Sequence, residues 1–263
     1  MKLICVGDVV ARPGRDIIRE RLKSLKEELN ADVVIVNGEN SAGGSGIDAK
    51  CFKEIRDAGA DVITLGDHTW RRAEVRAILS DARSNCICPG NYPVGDPPAR
   101  GWYIHECLGV SVGVLNVLGR TFLQNALDCP FRYAERVLSE HLASCAVVVV
   151  DFHGEATSEK WAFARHFDGK VSLIYGTHTH VATADECVLA GGTAYITDIG
   201  MTGAHSGVIG MDEQTAVNRF LTGLPSTYKA ATEDVRLNGI VVELDEMTGR
   251  ARSIERIVRK LSE

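Results

Sequence analysis

No stretch of this sequence approaches the roughly 18 to 20 apolar residues that a helix needs to cross a bilayer. The greasiest run, residues 145–150, stops at Asp151. The start of the chain does not read as a secretory leader: after Lys2 only Leu3, Ile4, Cys5 and Val6 are apolar before Gly7 and Asp8 break the run, and no cleavage site follows. The eight cysteines, at 5, 51, 86, 88, 107, 129, 145 and 187, contain no C-x-x-C pair and no disulfide-framework spacing for 263 residues. A basic excess is missing too. Lys and Arg number 29 against 35 Asp and Glu, for a formal net charge of −6, which excludes a protein that grips nucleic acid by bulk electrostatics. A small anionic ligand stays open. Internal repeats, low-complexity tracts and long flexible linkers are absent as well. The expectation is a reduced, cytoplasmic, soluble protein with no membrane segment and no stable nucleic-acid binding.

What is present is ordinary globular composition, 45% hydrophobic and 24% charged, enough to build a core and to exclude disorder. Strand and helix patterns alternate. Leu3 to Val6 reads as a buried strand, and Pro13-Gly14 opens a helix with Ile17, Ile18, Leu22, Leu25 and Leu29 on one face. Val33 to Val36 is the next strand, and Asp48 caps a helix through Ala58, closed by Gly59. Val62 to Leu65 then precedes a helix bearing Ala73, Val75, Ile78 and Leu79. This βαβαβα order implies a parallel sheet covered by helices. A loose stretch, residues 85–101, carries four of the seven prolines. Beyond it come a hairpin (102–107 with 110–117), a helix from Pro130 to Leu142, strands at 146–152, 171–175 and 194–197, and a closing hairpin (239–244 with 250–258). One domain over residues 1–263 with two sheets fits this better than two separable domains. Cys5 and Cys145 are expected inside buried strands as small hydrophobes.

In open α/β sheets ligands gather at the carboxyl ends of strands, so the residues there are diagnostic. The first strand runs into Asp8, the second into Glu39-Asn40, the third into Asp67-His68, the 146–152 strand into His153, and the 171–175 strand into His178-Thr179-His180. Singly these are weak: a lone Asp is more often a turn or cap residue, and a lone His more often a hydrogen-bonded core residue. The pair His178-x-His180 is harder to dismiss, because residues at i and i+2 point the same way in an extended segment, and Gly176 before them allows close approach of backbone and ion. Five polar strand ends together favour metal.

Seven candidate ligands, Asp8, Glu39, Asn40, Asp67, His153, His178 and His180, exceed one tetrahedral zinc with its open position. Oxygen and imidazole donors without thiolate point to manganese or iron, with zinc also open. With one bridging carboxylate they would serve two ions about 3.5–4 Å apart, an arrangement that clamps a phosphoryl oxygen and activates water. Phosphate-ester hydrolysis is the expected reaction class. Cys86-x-Cys88 stands alone and is a poor soft-metal site. The glycine-rich 41–46 segment could bend over the centre or contact phosphate, and Arg252, Arg256, Arg259 and Lys260 read as a solvated face.

The motifs Gly7-Asp8-Val9-Val10 with Pro13-Gly14-Arg15, Asn37-Gly38-Glu39-Asn40, Gly66-Asp67-His68-Thr69-Trp70, Asp151-Phe152-His153 with Glu155 to Lys160, Gly176 to His180, and Asp198 to Gly203 span nearly the whole chain. Together they resemble the calcineurin-like metallophosphoesterases, specifically the bacterial YmdB type. That resemblance implies a four-layer α/β/β/α sandwich with two mixed β-sheets and a dinuclear centre hydrolysing phosphodiesters, notably 2′,3′-cyclic nucleotides opened at the 2′ bond. It implies that Glu39 bridges the ions, with Asp8, Asn40 and His180 around one and position 67, His153 and His178 around the other. His68 would protonate the leaving oxygen, and Thr177 and Thr179 would help hold the histidine segment. A homo-oligomer is also expected by resemblance, although no stripe of residues marks an interface.

The chain departs from the family at position 67, where Asp replaces the usual Asn. In the usual site two divalent ions, set against Asp8, Glu39 and a bridging hydroxide, keep one net positive charge; Asp67 cancels it. That would weaken Lewis acidity toward an anionic diester or favour a trivalent iron. Two other readings stay open: a phosphomonoesterase such as a nucleotidase, and a metal-bound regulatory protein with little turnover.

Overall fold

Successive side chains of a strand point to opposite faces. In the first strand, Lys2–Val6 (β1), both faces are apolar and buried: Ile4 and Val6 on one, Leu3 and Cys5 on the other. Such a strand needs cover on two sides, and that need sets the layering. The structure, a computed structural model, describes residues 1–93 and 100–261; Pro97 and Pro98 of the loose stretch lie outside the described residues.

One sheet joins β1 to β2 (Asp8–Val9), β3 (Val33–Asn37), β4 (Val62–Thr64), β11 (Met201–Ala204), β12 (Val235–Leu244) and β13 (Ala251–Lys260). Its order is β2-β11-β12-β1-β3-β4, with β13 against β12. The other holds β5 (Trp102–Cys107), β6 (Val110–Leu118), β7 (Val147–His153), β8 (Leu173–Thr177), β9 (Cys187–Val188) and β10 (Ala194–Ile196), in the order β5-β6-β7-β8-β10-β9. Both sheets are mixed: β1, β3 and β4 run parallel beside an antiparallel β12, and β6, β7, β8 and β10 run parallel between antiparallel edges β5 and β9.

Three apolar layers result. Leu3, Cys5, Val33 and Ile35 meet Val147, Val149, Leu173 and Tyr175 between the sheets. Outside the first sheet, Ile4, Val6, Val34 and Val36 pack under the helices α1 (Ala11–Glu28), α2 (Ala49–Asp57) and α3 (Val75–Ser80). Outside the second, Val148, Val150 and Phe152 meet α4 (Pro130–Glu140) and α5 (Thr157–Phe167), where Phe163 and Phe167 are buried. This is the expected α/β/β/α sandwich, and both hairpins form. A further helix, α6 (Glu213–Thr222), buries only Ala216.

Several local expectations need correction. Cys145 is not in a buried strand; it precedes β7 and is half-exposed, because the strand begins only where both faces are covered. Pro13 lies in the first turn of the first helix, as expected, although that helix begins at Ala11; Ala73 lies outside α3. All eight cysteines are free thiols, and burial pushes Cys88 up to about 12 and Cys86 higher still. Arg252, Arg256 and Arg259 pair with Asp245, Glu186 and Glu28 on the surface. Among the described residues no helix is long and apolar enough to cross a membrane.

Asp48 caps α2 as expected, its Oδ1 accepting the Cys51 N–H at 2.7 Å. Replacing it, Asp48→Ala, should lower stability by about 1 kcal/mol, read as an earlier urea midpoint with an unchanged slope.

Candidate metal centre

Because the central strands of both sheets run parallel, their carboxyl ends reach one edge of the sandwich, and all eight candidate residues meet there. Asp8, Glu39, Asn40 and His153 form a buried floor. Asp67, His68, His178 and His180 form a rim whose side chains keep 12–30% of their surface. Donor atoms of Glu39, Asp67, His153 and His178 all lie within 4.8 Å of one another. Asp8, Asn40 and His180 adjoin them: Asn40 Nδ2 lies 3.1 Å from His180 Nε2 and donates to Glu39 Oε1 at 2.9 Å, and Asp8 Oδ1 lies 4.0 Å from His180 Nε2.

Each imidazole is oriented from behind, which decides the nitrogen it turns inward. Thr177 Oγ1 gives its own hydrogen to Asp151 Oδ1 at 2.6 Å, so it can only accept from His153 Nδ1, 2.8 Å away. His178 Nε2 faces the Glu155 carboxylate at 3.1 Å, and His180 Nδ1 donates to the Ile209 carbonyl at 3.0 Å. The inward nitrogens are therefore His153 Nε2, His178 Nδ1 and His180 Nε2. The first two stand 3.1 Å apart, and His153 Nε2 is 3.2 Å from Asp67 Oδ1 and 3.3 Å from Glu39 Oε1. Ring nitrogens and carboxylates facing one another this closely are held by shared positive charge, whether a proton on an imidazole or a metal ion.

Two further observations fit metal ions. Asp8 Oδ1 is buried without a hydrogen-bond partner, an expensive state for a carboxylate oxygen. A Cβ on Gly66 would sit 2.1 Å from Glu39 Oε2 and 2.3 Å from His153 Nε2, so this position leaves no room for any side chain beside the donor atoms. Three carboxylates, three imidazoles and an amide are also a donor set for manganese, iron or zinc.

The electrostatics agree. Burial would raise the carboxyl of Asp67, but hydrogen bonds from His153 and His178, with the His153 and His68 charges, hold it far below the usual range. Glu39 is lowered too, against its burial, chiefly by His153. His153 is raised well above the ordinary range; burial opposes this, and Glu39 and Asp67 outweigh it. In the protein's own charges a proton on His153 thus stands where a metal cation would neutralise the cluster. Asp8 is raised by burial, partly offset by His180 and His153.

The histidine pair needs a different account from its spacing. His178 and His180 are not extended: their φ angles are +101° and +65°. They turn to different partners, His178 to Asp67 and His153 and His180 to Asn40 and Asp8, because a reversed backbone spreads side chains that a strand would align. Gly176 does not admit an ion either. A Cβ there would lie 1.7 Å from Thr197 O and 2.9 Å from Lys160 Cδ, so the space is taken by the Thr197 backbone and then by the lysine stem. The glycine-rich segment is pinned by Arg72, which donates to Ala42 O at 2.6 Å and Ser45 O at 3.1 Å. Glu155, Asp151, Lys160 and Asp198 lie in the sequence motifs, but their roles appear only in the structure; the one local signal is a charge ending an apolar strand, as at Asp151. The other histidines are engaged elsewhere: His141 stacks on Trp102, His166 meets Glu135, His205 meets Asn238 and His105 lies near Asp61.

Two mixed sheets face to face, helices outside, and carboxylates and imidazoles at the strand ends define a metallophosphoesterase fold. The chain matches a 5′-nucleotidase precursor of Thermus thermophilus with a TM-score of 0.59 over 98% of this chain and 54% of that one, a likeness of fold at 13% identity. More narrowly, the chain belongs to the YmdB-like family, whose profile matches residues 4–257. It is 42% identical to the 2′,3′-cyclic-nucleotide 2′-phosphodiesterase of Bacillus subtilis (strain 168) over 258 residues, 98% of this chain and 97% of the relative. A hypothetical protein from Thermus thermophilus matches with a TM-score of 0.93 and 39% identity, covering 99% of both chains. A novel phosphatase of Mycoplasma pneumoniae matches at 0.92 and 33%, covering 99% of this chain and 93% of its own.

The Gly66 contact makes a direct forecast. Gly66→Ala should leave the thermal unfolding transition cooperative while reducing metal uptake, measured by elemental analysis after dialysis against Mn2+; full loading would refute the close approach.

Proposed function

We propose that this protein is a metal-dependent phosphodiesterase acting on small phosphodiesters, with 2′,3′-cyclic nucleotides converted to 3′-nucleotides as the leading substrate class. The observation that carries the reading is the inward convergence of His153, His178 and His180 on Asp8, Glu39 and Asp67. The full-length likeness to a 2′,3′-cyclic-nucleotide 2′-phosphodiesterase supports it. In this reading Glu39 would be shared by two ions of iron or manganese, zinc being the third candidate, with Asp8, Asn40 and His180 to hold one and Asp67, His153 and His178 to hold the other. Such ions act as Lewis acids toward phosphoryl oxygens and lower the pKa of water, supplying a nucleophile at neutral pH.

The chain's own groups orient and deliver the proton. His68 Nδ1 lies 2.8 Å from Asn40 Oδ1, an acceptor that takes its hydrogen and holds the ring at the rim. Among the described residues its Nε2 has no hydrogen-bond partner, with Asp67 Oδ2 3.7 Å away. From that position a protonated His68 gives the Nε2 proton to the leaving 2′-oxygen as the P–O2′ bond breaks and a water oxygen forms the new P–O bond. Asp67, held ionised by His153 and His178, adds a full negative charge where the family usually has a neutral amide. The phosphatase description of the Mycoplasma relative keeps monoester hydrolysis as the second reading.

Metal-reconstituted enzyme should favour 2′,3′-cyclic AMP and bis-p-nitrophenyl phosphate over p-nitrophenyl phosphate. A monoester preference would support the second reading, and binding without turnover a regulatory role. Less than one metal per chain under replete conditions would exclude the dinuclear centre. His68→Gln should lower kcat by about 10²–10⁴-fold with metal content unchanged. Asp67→Asn should raise diester turnover by about tenfold, equivalent to ~1.4 kcal/mol of barrier, and alter metal preference; an identical rate and preference at matched loading would remove the charge argument.

A further inference from the structure

Lys160 and Asp198 form a fully buried ion pair that takes no part in the chemistry above, Nζ to Oδ2 at 2.9 Å. Burying two charges is costly, and such a pair is often no more stabilising than apolar residues of the same shape. Its hydrogen bonds indicate what else it does. Lys160 Nζ also donates to the Thr177 carbonyl at 2.9 Å. The Asp198 Oδ2 that meets the lysine accepts the Thr179 N–H at 3.1 Å, and its Oδ1 accepts the Gly200 N–H at 2.8 Å.

The pair therefore holds the carbonyl before His178 and the amide after it. Between them sits one residue at φ +101°, a conformation that a non-glycine residue keeps only where its surroundings over-determine it. Gly176 allows the arrangement, since a Cβ there would strike both Thr197 O and the lysine stem. Asp198 is tied in turn to the segment flanking Asp8: Gly200 lies against Gly7, and Met201 pairs with Asp8 in β11 and β2. One ion pair thus connects the turn that carries His178 and His180 to the strand that carries Asp8.

We infer that Lys160 and Asp198 are positioning residues of the metal centre, clamping the reversed turn that aims His178 and His180 inward. The inference rests on the metal-centre reading, and the test separates the two. The double variant K160M/D198N removes both charges with little change in shape, and the wild type and variant are compared for Mn2+ affinity by chelator competition and for thermal unfolding. The clamp is expected to show as about tenfold or greater weakening of Mn2+ binding in a variant that still unfolds cooperatively. A folded variant with wild-type Mn2+ affinity, whatever its Tm, overturns the clamp and leaves a merely structural pair. Wild-type protein that takes up no Mn2+ overturns the metal centre itself. Should the double variant not fold, Lys160→Gln, which keeps an amide donor but no charge, carries the same comparison: weaker Mn2+ binding supports the clamp, unchanged binding overturns it.

Discussion

Negative charge confined in a buried place is the constraint on which the rest of this structure depends. Asp8 lies in β2, Glu39 follows β3 and Asp67 follows β4 at the edge of one sheet; Glu39 and Asp67 stand within 4.8 Å of the His153 and His178 nitrogens, and Asp8 Oδ1 is 4.0 Å from His180 Nε2. In a low-dielectric setting their repulsion is large unless cations stand among them. The second sheet answers with His153 and His178, and the loop beyond with His180. Neither sheet builds the site alone, which is why their apolar packing and the site's chemistry are one problem.

Behind the donors lies a second tier that keeps them in place. Asp151 is the junction: it accepts from Thr177, from Thr64 at 2.5 Å and from Asn37 at 3.1 Å, joining β3 and β4 to β7 and β8 in the layer between the sheets. Burial pushes its carboxyl up to about 6, against the lowering by His153 and the Thr177 and Thr64 hydroxyls. Glu155 and the Ile209 carbonyl do for His178 and His180 what Thr177 does for His153. Rigid support of this kind fixes which nitrogen faces the reacting group. The rim is different: His68 is anchored through Nδ1 to Asn40, and among the described residues its Nε2 has no hydrogen-bond partner.

Much of this was legible along the chain, for local reasons. Asp48 and Gly59 bound a helix because capping is decided by residues three apart. The two hairpins follow from strand runs and the turns between them, and the polar strand ends at positions 8, 39–40, 67–68, 153 and 178–180 follow from how open α/β sheets present ligands. Other features were not legible. The two-residue β2 owes its existence to β11, nearly two hundred residues away, and Cys145 belonged to no strand because strand limits depend on what covers each face. The spacing of His178 and His180 implied an aligned pair, yet long-range contacts force both into positive φ.

By itself the sequence determined the donor inventory, the order of strands and helices, and the absence of a C-x-x-C pair or long apolar span, since these depend on residue type and short-range periodicity. The tertiary structure decided which nitrogen of each histidine faces inward, why Gly66 and Gly176 are glycines for different reasons, and that Lys160 reaches Asp198 beneath the histidine turn. Those outcomes depend on contacts between residues far apart in the chain and on the burial that makes each contact strong. No local pattern encodes them.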